Sequence, residues 1–139
     1  MIDLDNYSSF VAAVTSIESN DTQSLINRML AVEGKAVEDG IPMNASLLLT
    51  ASLGLAAESG EFTELPKKIF LQGKPYTEAI RDHMILELSD VIWYWTNACR
   101  AIGVSPEEVI RRNVNKLENR YPGGKFDVDK SENRKAGDL

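Results

Sequence analysis

Apolar residues along this chain recur three and four positions apart, the spacing of one helix face, and the strict alternation that marks a half-buried strand is weak throughout. The pattern predicts an all-α chain. A first helix is expected over residues 5–17, followed by a polar break at Glu18-Ser19-Asn20-Asp21. A second starts near Thr22, carries Leu25, Met29, Val32 and Ala36 on one stripe, and is stopped by Gly40 and Pro42. A third begins at Asn44, a favourable N-cap, and extends through Leu47, Ala51, Leu55, Glu58 and Phe62 to about residue 70. Pro66 is expected to kink or divide it, because an interior proline loses a helix hydrogen bond. Beyond the loop Gln72-Gly73-Lys74-Pro75, a fourth helix spans residues 77–102, with Gly103 as its stop. Ser105-Pro106-Glu107-Glu108 then places Ser at N-cap, Pro at N1 and Glu at N3, a capping box that opens a fifth helix. That helix stacks Ile110, Val114, Leu117 and Tyr121 and ends at Pro122-Gly123-Gly124. The organisation expected is one helical domain over residues 1–126, a bundle of about four to five helices, and a flexible polar tail over 127–139.

Two acidic pairs interrupt the most apolar stretches at the same spacing: Glu58-Ser59-Gly60-Glu61 and Glu87-Leu88-Ser89-Asp90. Residues three apart share a helix face, and like charges so placed destabilise an isolated helix by a few tenths of a kcal/mol. On the wheel Glu58 lies among Ala51, Leu55, Phe62 and Leu65, with Glu61 at the margin and Glu64 turned further toward water. Glu87 lies among Ile80, Met84, Val91 and Tyr94. The fourth helix is apolar nearly all round, through Met84, Ile85, Leu86, Leu88, Val91, Ile92, Trp93, Tyr94 and Trp95, and such a helix in so short a chain calls for burial against a second subunit. Gly60, costly inside a helix, suggests close approach of another backbone or a ligand.

A hard divalent cation would compensate four convergent carboxylates. The donor types narrow the choice: di-iron bundles use Glu-x-x-His pairs, whereas the single histidine, His83, stands four residues before Glu87. With one cysteine and one histidine, structural zinc is excluded. Oxygen-only ligation favours Mg²⁺, with Mn²⁺ as the alternative. His83 itself reads as a core-margin or surface residue, and Cys99 as a small buried hydrophobe.

Charge is unevenly divided. Residues 1–66 hold 2 basic and 10 acidic side chains, and residues 67–139 hold 13 basic and 11 acidic. In the fifth helix Arg112, Lys116 and Arg120 recur every four residues beside the apolar stripe, with Asn113 on its border, an arrangement suited to a triphosphate. Lys67 and Lys68 are further candidates for anion contact, or partners of the helix-end dipole. The net charge of −6 argues against broad binding to nucleic acid. The longest nearly apolar run, residues 47–57, falls short of the roughly 20 residues that cross a bilayer. The acidic start lacks the basic region of a signal peptide, and the lone cysteine suits a reducing compartment, so a cytoplasmic location is expected.

Together these segments resemble the MazG-like nucleotide pyrophosphohydrolases of the all-α NTP pyrophosphatase superfamily. The resemblance rests on Gly54-Leu55-Ala56-Ala57-Glu58-Ser59-Gly60-Glu61, on Glu87-Leu88-Ser89-Asp90-Val91-Ile92-Trp93-Tyr94, and on Asn113-x-x-Lys116-Leu117-x-x-Arg120-Tyr121-Pro122. It implies hydrolysis of (d)NTPs to a nucleoside monophosphate and pyrophosphate, Mg²⁺ on Glu58, Glu61, Glu87 and Asp90, and an active site in a homodimer or homotetramer. By the same resemblance Tyr94, Asn113, Lys116 and Arg120 contact the substrate. A helical oligomerisation or regulatory module that binds nucleotide or metal without turnover stays open beside this reading, as does a purely structural acidic bundle.

Overall fold

A computed structural model describes residues 3–133; the first two residues of the acidic start and the last six of the expected tail lie outside them. Among the described residues there are seven helices and no strand: α1 (Leu4–Val14), α2 (Ile17–Asn20), α3 (Thr22–Glu38), α4 (Ala45–Gln72), α5 (Glu78–Ala101), α6 (Pro106–Arg120) and α7 (Val128–Glu132). The five long helices are those expected. The polar break after the first is itself one helical turn, α2, in which the Asn20 side chain donates to Ser16 O at 2.9 Å. α7 adds one turn inside the segment expected to be a flexible tail, opened by the Asp127 carboxylate accepting from Lys130 N.

Side-chain caps fix where the long helices begin. Asp21 accepts from Ser24 N at 2.7 Å, Asn44 from Leu47 N at 2.8 Å, Thr77 from Ile80 N at 3.4 Å and Ser105 from Glu108 N at 3.1 Å. Each satisfies one amide that the first helical turn leaves without a partner. The box at α6 closes in one direction: the Glu108 carboxylate turns to Arg111 and Arg112, at 2.6 and 2.7 Å, instead of back to Ser105. Pro66 does not divide α4, which runs unbroken through it. The missing amide removes one bond, while neighbouring Leu65 is buried against the rest of the chain.

α4 and α5 form an antiparallel hairpin that dominates the packing. Its register is read from three levels. At the open end Asn44 N donates to Ala101 O at 2.7 Å; in the middle Gly54 meets Tyr94; toward the turn Glu58 and Glu61 face Glu87. Gly103 takes a left-handed φ of 67° and sits on the Pro42 ring, which brings the α3–α4 loop against the α5–α6 turn. α3 packs on α2 and α4, and α6 touches α5. The core is thin: Ala45, Ala51, Leu65, Ile80, Cys99 and Ala101 are buried, and among the described residues no large side chain is completely enclosed. No described helix is long and apolar enough to cross a membrane.

The sequence calls for α5 to be buried all round, yet within one chain Ile85, Leu86, Leu88, Ile92 and Trp93 stay 46–61% exposed. α1 likewise presents Tyr7, Phe10, Val11 and Val14 to solvent.

Candidate metal centre

α4 and α5 each carry an acidic pair on the surface they share, so antiparallel packing superposes the pairs. Glu58, Glu61 and Glu87 each place a carboxylate oxygen within 4.8 Å of the others. Asp90, one turn further along α5 and exposed, stands outside this trio but close enough for its charge to act on Glu58. Glu87 is buried at 7% exposure, Glu58 is half-buried and Glu61 is exposed. The neighbours of Glu87 on the helical wheel behave accordingly: Ile80 is buried, and Met84, Val91 and Tyr94 are half-covered. Three oxygen donors from two rigid helices suit a divalent cation, since the donors are all hard and their mutual repulsion falls when a cation lies between them.

A cavity of about 310 Å³ opens beside the trio, lined by Ala57, Gly60, Glu61, Glu64, Leu65, Lys68, His83 and Glu87. Two of these positions differ from sequence expectation. Glu64 is more covered than Glu61, because Lys67 and Lys68 both pair with it. Lys67 is thereby committed to Glu64, and it is Lys68 that reaches the cavity wall. Gly60 has no atom within 4 Å of where a Cβ would stand, so the close approach its presence suggests is not made inside one chain. That approach occurs at Gly54, whose Cβ would fall inside the Tyr94 ring.

His83 was legible only as a spacing. Its Nε2 lies 2.7 Å from Glu87 Oε1, on a side chain that is 56% exposed, which places it at the rim of the cavity. The i,i+4 relation to Glu87 is the signal from which this contact follows.

The cationic helix builds a second cavity, of about 410 Å³, between α5 and α6, lined by Trp95, Val109, Ile110, Arg112, Asn113 and Lys116. No residue lines both cavities. Asn113 and Lys116 are thus brought together, with Trp95 as an aromatic wall that sequence reasoning left in the apolar stretch. Arg112 is engaged by Glu108. Tyr94 and Arg120 line neither cavity; the Tyr94 ring packs on Gly54 and meets Trp93 edge-on, with centroids 4.7 Å apart.

Partial desolvation, and after it the charges of Glu61, Asp90 and Glu87, raise the Glu58 carboxyl above its ordinary 4.5. A carboxyl raised in the folded state stabilises the fold below its unfolded value, and that contribution is lost as pH climbs through the raised one. In metal-free buffer, melting temperatures of the wild type and Glu58→Gln should therefore agree near pH 4 and diverge toward pH 7, the variant melting higher. A constant gap across that range would show that the Glu58 carboxyl is not raised in the folded protein.

Comparison with known proteins agrees with the sequence resemblance. The family model for the MazG nucleotide pyrophosphohydrolase domain matches residues 48–124, from the first turn of α4 through the end of α6. The Gene 37 protein of Mycobacterium phage L5 is 37% identical over 75 residues, 52% of this chain. The match covers 65% of that protein, so the chain spans less than two thirds of the relative's length. No solved structure matches. With more than half its length matched, including both acidic pairs and the cationic helix, the chain belongs to the MazG nucleotide pyrophosphohydrolase domain family.

Proposed function

We propose that this protein is a Mg²⁺-dependent nucleoside triphosphate pyrophosphohydrolase that cleaves (d)NTPs to (d)NMP and pyrophosphate. The observation that carries the reading is the convergence of Glu58, Glu61 and Glu87 within 4.8 Å beside an open cavity. Glu58, Glu61, Glu87 and Asp90 hold the cation, with Mn²⁺ as a substitute. When bound, such a cation polarises a phosphate oxygen and acidifies water. The chain's own contributions are positional and electrostatic. The two helices fix the carboxylates, so no reorganisation is needed as charge develops. Asn113, Lys116 and Arg120 of α6 contact the phosphates and neutralise the departing pyrophosphate. Lys67, through its pairing with Glu64, orders that end of α4, and Tyr94, packed on Gly54 between the acids and the open end of the hairpin, is a further substrate contact in this reading.

A homodimer or homotetramer is part of this reading. The chain exposes 10746 Å², whereas a compact monomer of its mass would expose about 7,200 Å². The excess, about 3,500 Å² per chain, is more than an obligate interface needs, since such interfaces bury about 2,000–5,000 Å² over both partners, and the bare apolar face of α5 supplies its chemistry. The nucleotide is the expected partner, in the cytoplasm, with neither nucleic acid nor membrane involved.

The test is a panel of NTPs and dNTPs incubated with the full chain and Mg²⁺. Monophosphate and pyrophosphate are the expected products, and EDTA should abolish them. Inorganic phosphate as sole product, or turnover indifferent to metal, overturns the proposal. Thermal stabilisation by nucleotide without product would identify the non-catalytic module instead.

A further inference from the structure

Of the three convergent glutamates, only Glu87 is bound by another side chain among the described residues, and that side chain is His83. The contact is short, 2.7 Å, and lopsided: the glutamate side chain is 9% exposed and the histidine 56%. A buried carboxylate is met from the solvent edge by one imidazole. Because both residues lie on α5 four positions apart, the helix itself sets their alignment, and little side-chain freedom remains to be lost. His83 also lines the same cavity as Glu61 and Glu87.

His83 is not a fourth member of the trio. The ligand atoms that converge belong to Glu58, Glu61 and Glu87, and the imidazole stands to one side of them. It can therefore act on a cation only through Glu87. A carboxylate has two oxygens and about four lone-pair directions, so the contact at Oε1 leaves capacity for an ion. Without that contact the terminal torsion of a glutamate is broad, and the carboxylate would rotate relative to its neighbours. We propose that His83 is a positioning residue, whose imidazole, in contact with Glu87 Oε1, fixes the orientation of the Glu87 carboxylate toward Glu58 and Glu61 and so sets the affinity of the site for a divalent cation. The inference rests on the metal-dependent reading above. A plain surface pair would behave differently, since an exposed i,i+4 contact adds only slightly to helix stability and leaves ion binding untouched.

The test uses the full chain without nucleotide and Mn²⁺ as probe, with free Mn²⁺ read by electron paramagnetic resonance. His83→Ala should weaken Mn²⁺ binding about 10–100-fold, the range seen when a hydrogen-bond partner of a metal ligand is removed. His83→Gln, which keeps an N–H donor at similar reach, should recover most of it, and His83→Asn, whose amide is too short, should not. In turnover assays the Mg²⁺ concentration for half activation should rise for His83→Ala, while the nucleotide KM at saturating Mg²⁺ stays near wild type. Circular dichroism checks that each variant is folded, and His83→Asn replaces His83→Ala if the latter is not. Equal or tighter Mn²⁺ binding by the loss variants, with Glu87→Gln binding none, overturns the role of His83 and leaves the metal site standing. A wild type that binds no Mn²⁺ overturns both.

Discussion

Glu58→Gln should keep its fold and lose about three orders of magnitude in turnover. The substitution changes one oxygen to nitrogen on a half-buried side chain, so the volume that packs between α4 and α5 is preserved. The charge it removes is the one on which Glu61, Asp90 and Glu87 all act, so the metal-free protein is relieved of repulsion rather than deprived of a contact. The cost falls on chemistry. Removing one fixed electrostatic donor from an active site costs about 10²–10³-fold, and a metal ligand also determines whether the ion is present at all. The expected profile is a melting temperature in EDTA equal to or above wild type, no further rise on adding Mg²⁺, and product formation near background. Retention of more than a tenth of wild-type turnover would remove Glu58 from the site. A variant that gains stability from Mg²⁺ as the wild type does would place the ion elsewhere.

This prediction was accessible from the sequence because the wheel positions of Glu58 and Glu87 depend only on local helix geometry. The same locality explains the helix starts: Asn44, Thr77 and Ser105 act within three residues of themselves, so composition at those positions suffices. Elsewhere the outcome was set by partners that periodicity does not name. The wheel turned Glu64 toward water, but two lysines one turn on draw its carboxylate into pairing and cover it. Pro66 looked like a divider because propensity counts the lost hydrogen bond, whereas in the hairpin the packing of Leu65 and its neighbours carries the helix through. The cations of α6 fall in a cavity separate from the acids, and no helical wheel gives the placement of one helix relative to another. The apolar surround of α5 predicts burial that one chain alone meets only in part.

Gly54→Ala and Gly60→Ala should have opposite effects, and the pair tests the hairpin's register directly. Both glycines lie inside α4, where alanine in place of glycine favours the helix by about 0.5–1 kcal/mol. At Gly60 a new methyl meets nothing within 4 Å, so the metal-free protein should gain that amount, unless a second subunit or a ligand occupies the space. At Gly54 the methyl would fall inside the Tyr94 ring, and that ring is itself held edge-on against Trp93. Overpacking of this kind costs about 1–3 kcal/mol, enough to exceed the propensity gain. Gly54→Ala should therefore melt several degrees below wild type. Combining it with Tyr94→Ala should recover much of that loss, because the second substitution removes the ring that the first collides with. Additive losses in the double variant would mean that Tyr94 does not rest on Gly54, and the register that sets Glu58 and Glu61 opposite Glu87 would fall with it. Denaturant melts of the four proteins in EDTA, with slopes compared to confirm an unchanged unfolding transition, decide between these outcomes.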